Sequence, residues 1–121
     1  MTTIPTASID VDALRTAYAT RDAAALLALY ADDATVEIID ALNPPSTPRR
    51  LAGRNALRAH FEDVFARDMT HDVETVAASD DCVGYSLRCT YADGTKVVCA
   101  ATATLLDGRI VRELGVQAWD A

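Results

Sequence analysis

The stretch that decides the fold is Asp12–Glu37, DALRTAYATRDAAALLALYADDATVE. Val11, Leu14 and Tyr18 recur at helical spacing, so the chain enters a helix, and Ser8 or Asp10 offers the side-chain oxygen that caps its free N–H groups. Arg21-Asp22 breaks it. Asp22 caps a second helix, rich in alanine and striped by Leu26, Leu27, Leu29 and Tyr30. Asp32-Asp33 ends that helix, and ATVEIID reads as a strand with Val36, Ile38 and Asp40 on one face. Two helices and a strand, then one more helix and four strands, predict a curved sheet wrapped around helices, with a pocket between them.

Working outward, ALNPPSTPRR (41–50) reads as a loop, because three prolines within 44–48 cannot sit in a helix or central strand. A third helix is predicted at about 53–67 on Leu57, Phe61, Val64 and Phe65. Strands follow at roughly 71–79, 82–92, 95–106 and 109–119, separated by Asp80-Asp81, Ala92–Thr95 and Asp107-Gly108. The predicted order is ααβαββββ, an α+β chain with a loose tail at 1–8 and one domain at 9–121.

The 121 residues are half apolar and carry 18 acidic against 11 basic side chains, a net charge of −7. That charge repels nucleic acid and anionic membrane surfaces. No apolar run nears the roughly 20 residues that span a bilayer. The N-terminus lacks the basic and apolar regions of a secretory signal. Cys82, Cys89 and Cys99 are odd in number and show no Cys-x-x-Cys spacing, as expected of reduced thiols in a cytoplasmic protein.

The element order, together with LYADDATVE (29–37), GRNALRAHF (53–61) and LLDGRIV (105–111), resembles the NTF2-like superfamily, in its SnoaL-like and ketosteroid-isomerase-like branch. The resemblance runs from about residue 10 to 119. It implies a cone: three helices against a strongly bent, mostly antiparallel sheet that leaves an apolar cavity. It also implies a homodimer through the outer sheet face, where Ile110, Leu114, Val116 and Ala118 would form an apolar row. The steroid isomerases of the family need a tyrosine acid, an aspartate base and a second acid. The matching positions here are Leu14, Ile38 and Thr102, so that constellation is missing. The acid that SnoaL-type cyclases carry on the last strand matches Gly115.

The remaining chemistry rests on His60, Glu113 and Asp40 as catalytic candidates. A neutral imidazole on an apolar helix face can act as a base. An inward glutamate in an apolar cavity has a raised pKa, and a pair with His60 would make an acid–base couple. Asp40 is a base one pleat from Ile38, or only a turn residue. Tyr18 and Tyr85 would orient a substrate oxygen. Leu14, Ile38, Leu57, Cys89, Thr102, Gln117 and Trp119 would complete the substrate wall, with Val98, Ala100 and Thr102 facing inward and Cys99 outward. His71-Asp72 points to opposite faces of a strand and makes no metal site, and no residue is identifiable that would activate a cysteine. The expectation is a cofactor-independent acid–base enzyme, of isomerase, cyclase or dehydratase type, acting on a small apolar ligand. The alternative is a dimeric binding or assembly domain.

Overall fold

The computed structural model describes residues 8–120. The tail expected at 1–8 therefore lies, Ser8 apart, outside the described residues. Helix α1 spans Val11–Ala19 and is capped by Asp10, whose carboxylate accepts from the Ala13 N–H at 3.0 Å. Helix α2 spans Ala23–Leu27 and is capped the same way by Asp22, which accepts from Ala25 N–H. Each such cap is worth about 1 kcal/mol. Arg21, between the helices, takes a left-handed φ of 54°.

The strands are β1 (Tyr30–Ile39), β2 (Arg49–Ala52), β3 (Met69–Ala78), β4 (Cys82–Tyr91), β5 (Lys96–Leu106) and β6 (Arg109–Trp119), and helix α3 (Arg54–Ala66) follows β2. The order is thus ααββαββββ, which adds one strand to the expected order. Two helices precede the first strand, as that order had it, so the three helices are not all N-terminal. The end of the Pro-rich loop folds into β2, pairing Arg49–Ala52 against Ile38–Thr35. Helix α2 is shorter than its apolar stripe implied, because Tyr30 begins β1.

The six strands form one sheet in the order β2-β1-β6-β5-β4-β3. Every pairing is antiparallel except β1 with β6. Asp107 and Gly108, with φ of 52° and 78°, make the two-residue turn between β5 and β6. Both central residues at positive φ match the twist of a hairpin, and glycine takes that conformation without a Cβ clash. Helix α1 packs on β3, α2 on α3, and α3 on β1 and β2. Leu14, Leu26, Leu57, Val83 and Ile110 are fully buried where these layers meet.

Two register expectations are corrected. On β5 the inward residues are Val97, Cys99, Ala101, Ala103 and Leu105, while Val98, Ala100 and Thr102 face outward. Partners across a ladder share a face, and Tyr85, Leu87 and Cys89 pair with Ala101, Cys99 and Val97. On β6 an irregularity between Thr104 and Leu105 places the extra residue near Val111. It turns Ile110 into the core at 0% exposure, so the outer row is Leu114, Val116 and Ala118 without it.

Candidate functional site

A cavity of about 260 Å³ opens between the helices and the inner sheet face. Val36, Ile38, Phe61, Phe65 and Leu87 form much of its wall. Tyr18, Asp40, His60, Tyr85, Cys89, Glu113, Gln117 and Trp119 also line it. Three expected wall residues do not. Leu14 and Leu57 are wholly buried in the core, and Thr102 is exposed on the opposite sheet face.

Glu113 is the centre of the polar wall. It sits on β6 with Val36 and Ala103 as its ladder partners, both buried. Among the described residues no basic side chain pairs with it: Arg88 pairs with Glu74 instead. Its carboxyl is held by two phenols. Tyr85 donates to Oε1 at 2.8 Å, and Tyr30 donates to Oε1 and Oε2 at 3.0 and 2.9 Å. Burial pushes the Glu113 carboxyl above the usual carboxylate range, and the hydrogen bonds from Tyr85 and Tyr30 pull it partly back. Burial and the nearby Glu113 charge push the Tyr18, Tyr30 and Tyr85 hydroxyls well above their ordinary value, so all three stay protonated donors.

Tyr18 extends this group. Its Oη lies 3.5 Å from the Tyr85 Oη, the outer limit of a hydrogen bond. Its ring packs edge-on against Phe65 with centroids 5.8 Å apart. The Tyr85 hydrogen is committed to Glu113, whereas the Tyr18 hydrogen has only this weak contact. Tyr18 is therefore the hydroxyl free to donate into the cavity.

His60 stands on α3 with its Nδ1 shut off from solvent and without a partner. Burial lowers its pKa to about 4, and Arg49 and Arg67 add to the fall. The ring is therefore neutral at physiological pH. The expected His60–Glu113 couple does not form, since the Glu113 oxygens are taken by tyrosines. Asp40 is used by its own turn: Oδ1 accepts from Leu42 N–H, Asn43 N–H and Asn43 Nδ2, all at 2.9 Å. These bonds, the Asn43 side chain foremost, lower its pKa and make it a weak base. Gln117 accepts from the Trp119 indole at 3.1 Å near the rim, where the Trp119 ring packs tilted against Tyr91.

The structure adds residues that the sequence reading passed over. Tyr30, which the apolar stripe assigned to α2, is 1% exposed and completes the Glu113 clasp. His71 is buried on β3 and lines the cavity, with Nδ1 3.2 Å from the Cys89 Sγ and Nε2 without a partner. A polar atom left so costs about 1–3 kcal/mol. Cys99, expected outside, lines the same wall. No group of three or more metal-ligating side chains occurs among the described residues. None of their helices is long and apolar enough to cross a membrane.

An NTF2-like protein of unknown function from Mesorhizobium loti is 26% identical, with a TM-score of 0.73 over 87% of this chain and 84% of that one. A loop-truncated variant of IdmH is 25% identical, with a TM-score of 0.65 over 87% of both chains. IdmH of Streptomyces antibioticus is itself a proposed polyketide cyclase. A proposed ketosteroid isomerase from Kribbella flavida, 20% identical with a TM-score of 0.72 over 91% of this chain and 74% of that one, shares the fold. No curated protein matches the sequence. The family model of the SnoaL-like domain matches residues 11–113, on the α+β cone with its six-stranded sheet, and the chain belongs to that family.

Proposed function

We propose that this chain is a cofactor-independent acid–base enzyme that binds a small, mostly apolar carbonyl compound in its cavity and promotes enolisation, as an isomerase or cyclase would. The observation that carries the reading is the buried Glu113 carboxyl clasped by Tyr30 and Tyr85, with the Tyr18 hydroxyl beside it. Protonated phenols in a dry wall stabilise charge that develops on a substrate oxygen. Tyr18 would donate to that oxygen. Tyr85, anchored on Glu113, would hold Tyr18 in place. Neutral His60, which lines the cavity, would accept the proton. A cavity of about 260 Å³ lies just under the roughly 300–1,000 Å³ of drug-sized sites, so the substrate has one or two rings. The likeness to IdmH, a proposed polyketide cyclase, agrees with the cyclase form of this reading.

A second reading, a ligand carrier, is favoured by one fact: both Glu113 oxygens are already satisfied inside the protein. Exchange of the α-protons of cyclic ketones into D2O, followed by NMR, separates the two. Exchange above the buffer rate that falls in Tyr18→Phe supports the enzyme. Saturable ketone binding without exchange leaves the carrier.

We further propose that the chain works as a homodimer in the cytoplasm. Leu114 and Val116 remain 39% and 45% exposed on the outer face, next to Val98 at 37%, and water leaves such an apolar patch uncovered only at a cost. The three free thiols fit a reducing compartment.

A further inference from the structure

Cys89, His71 and Cys99 form a second cluster on the cavity wall that the acid–base reading does not use. The sheet brings them together. His71 on β3 is the direct ladder partner of Cys89 on β4. Cys99 on β5 is the partner of Leu87, two residues from Cys89 on the same strand, so all three side chains share the inner face. His71 Nδ1 lies 3.2 Å from the Cys89 Sγ, within reach of a proton transfer. In the tautomer whose Nδ1 accepts from the Cys89 S–H, Nε2 is the protonated nitrogen. His71 is only 4% exposed, and its Nε2 has no partner. A buried N–H donor facing no acceptor is what remains when a ligand oxygen is the missing partner.

We propose that this cluster is a covalent capture site in which the Cys89 sulfur adds to an α,β-unsaturated carbonyl compound of one or two rings. The step balances without an oxidant. The Cys89 S–H proton passes to His71 Nδ1. The sulfur electron pair forms the bond to the β-carbon of the enone, and the C=C pair moves to the α-carbon and carbonyl oxygen as an enolate. The Nδ1 proton then goes to the α-carbon, so that S–H has added across the double bond. His71 Nε2–H is the donor to the ligand oxygen. Cys99 donates its S–H to the Cys89 sulfur and favours the thiolate, with His71 adding to the effect, so Cys89 lies below the ordinary thiol range and Cys99 above it. The proposal stands apart from the tyrosine–glutamate reading, since neither Tyr18 nor Glu113 takes part in the bond.

The test uses the full chain with Cys82→Ser, which removes the exposed thiol, and 2-cyclohexenone as the probe. Intact mass and peptide mapping follow the adduct. One adduct on Cys89, formed at least about ten times faster than on free glutathione and about 10²-fold slower in His71→Gln, is the expected result. No adduct, an adduct on Cys99, or an unchanged rate in folded His71→Gln overturns the proposal. The pH profile of labelling in the His71-containing protein decides the matter even where His71→Gln does not fold. The titratable groups facing the pair are His71 on β3, Cys99 on β5, Tyr18 on α1 and Glu113 on β6. A midpoint well below the ordinary thiol value of about 8.5 supports capture by an activated sulfur, and a midpoint at that value overturns it.

Discussion

Replacing Glu113 with glutamine tests whether the buried carboxyl carries a raised pKa. Glutamine has the shape of the protonated acid, and its Oε1 still accepts from Tyr85 or Tyr30. Below the ordinary carboxyl value of 4.5 the wild type is also a neutral acid, so the two proteins should differ there by no more than about 1 kcal/mol. As pH rises past that value the unfolded chain releases its Glu113 proton while the folded chain keeps it. Folding then takes up a proton, and wild-type stability falls with pH until the folded carboxyl ionises too. The fall has a ceiling of about 1.4 kcal/mol per pH unit, because one group is involved. Glutamine does not titrate, so Glu113→Gln gains on the wild type by up to that slope. Urea unfolding of both proteins at constant ionic strength, from about pH 4 to pH 9, gives the difference. Taking the difference removes His60 and every other group common to both. A flat difference, or one that moves in favour of the wild type as pH rises, would refute the raised carboxyl and with it the dry wall on which the proposed chemistry depends.

Tyr18→Phe should cost less than about 1 kcal/mol of stability, since its hydroxyl makes only the 3.5 Å contact, yet lower α-proton exchange about 10²-fold. For the same reaction, kcat/KM should fall on the acid side with a midpoint near pH 4, where His60 takes its proton, and a midpoint near the ordinary 6.5 would refute the lowered His60 value. Leu57→Ala, at a position with 0% exposure, should destabilise by about 2–5 kcal/mol in a urea melt, and a smaller loss would mean that the core there is loosely packed. Val116→Asp should convert the proposed dimer to monomers in sedimentation velocity without lowering helix content, and a wild type that already sediments as a monomer rules the interface out.

The caps at Asp10 and Asp22, the Asp107-Gly108 turn and the inward Glu113 were all legible, because each is a local signal of one or two residues. The β5 register was not. KVVCAATATLL has apolar or small residues at both parities, and only its pairing with β4 decides which set faces in. Tyr30 was misplaced because it continues the α2 stripe, although the strand pairing with β6 claims it. The strand β2 has four residues, too few to show an alternation after the prolines. His71 was judged by its neighbour Asp72, whereas its partner is Cys89, 18 residues away across a ladder. The site groups that sequence reading missed are those whose companions are set by strand pairing, which spacing along the chain does not report.

The one parallel ladder has a consequence for the order of events in synthesis. β1 is the first and β6 the last of the described strands, and Tyr30 donates to a carboxyl 83 residues later. Until Arg109–Trp119 has left the ribosome, β1 and β5 both present open edges toward the place that β6 will fill, and the Tyr30 and Tyr85 hydroxyls have no carboxyl to hold. Contacts so distant in sequence form slowly, so β6 closes the sheet and finishes the polar wall in a single late step. A nascent chain stalled before β6 would expose two sticky edges and no working cavity, which makes the emergence of β6 the point at which this fold passes from aggregation-prone to complete.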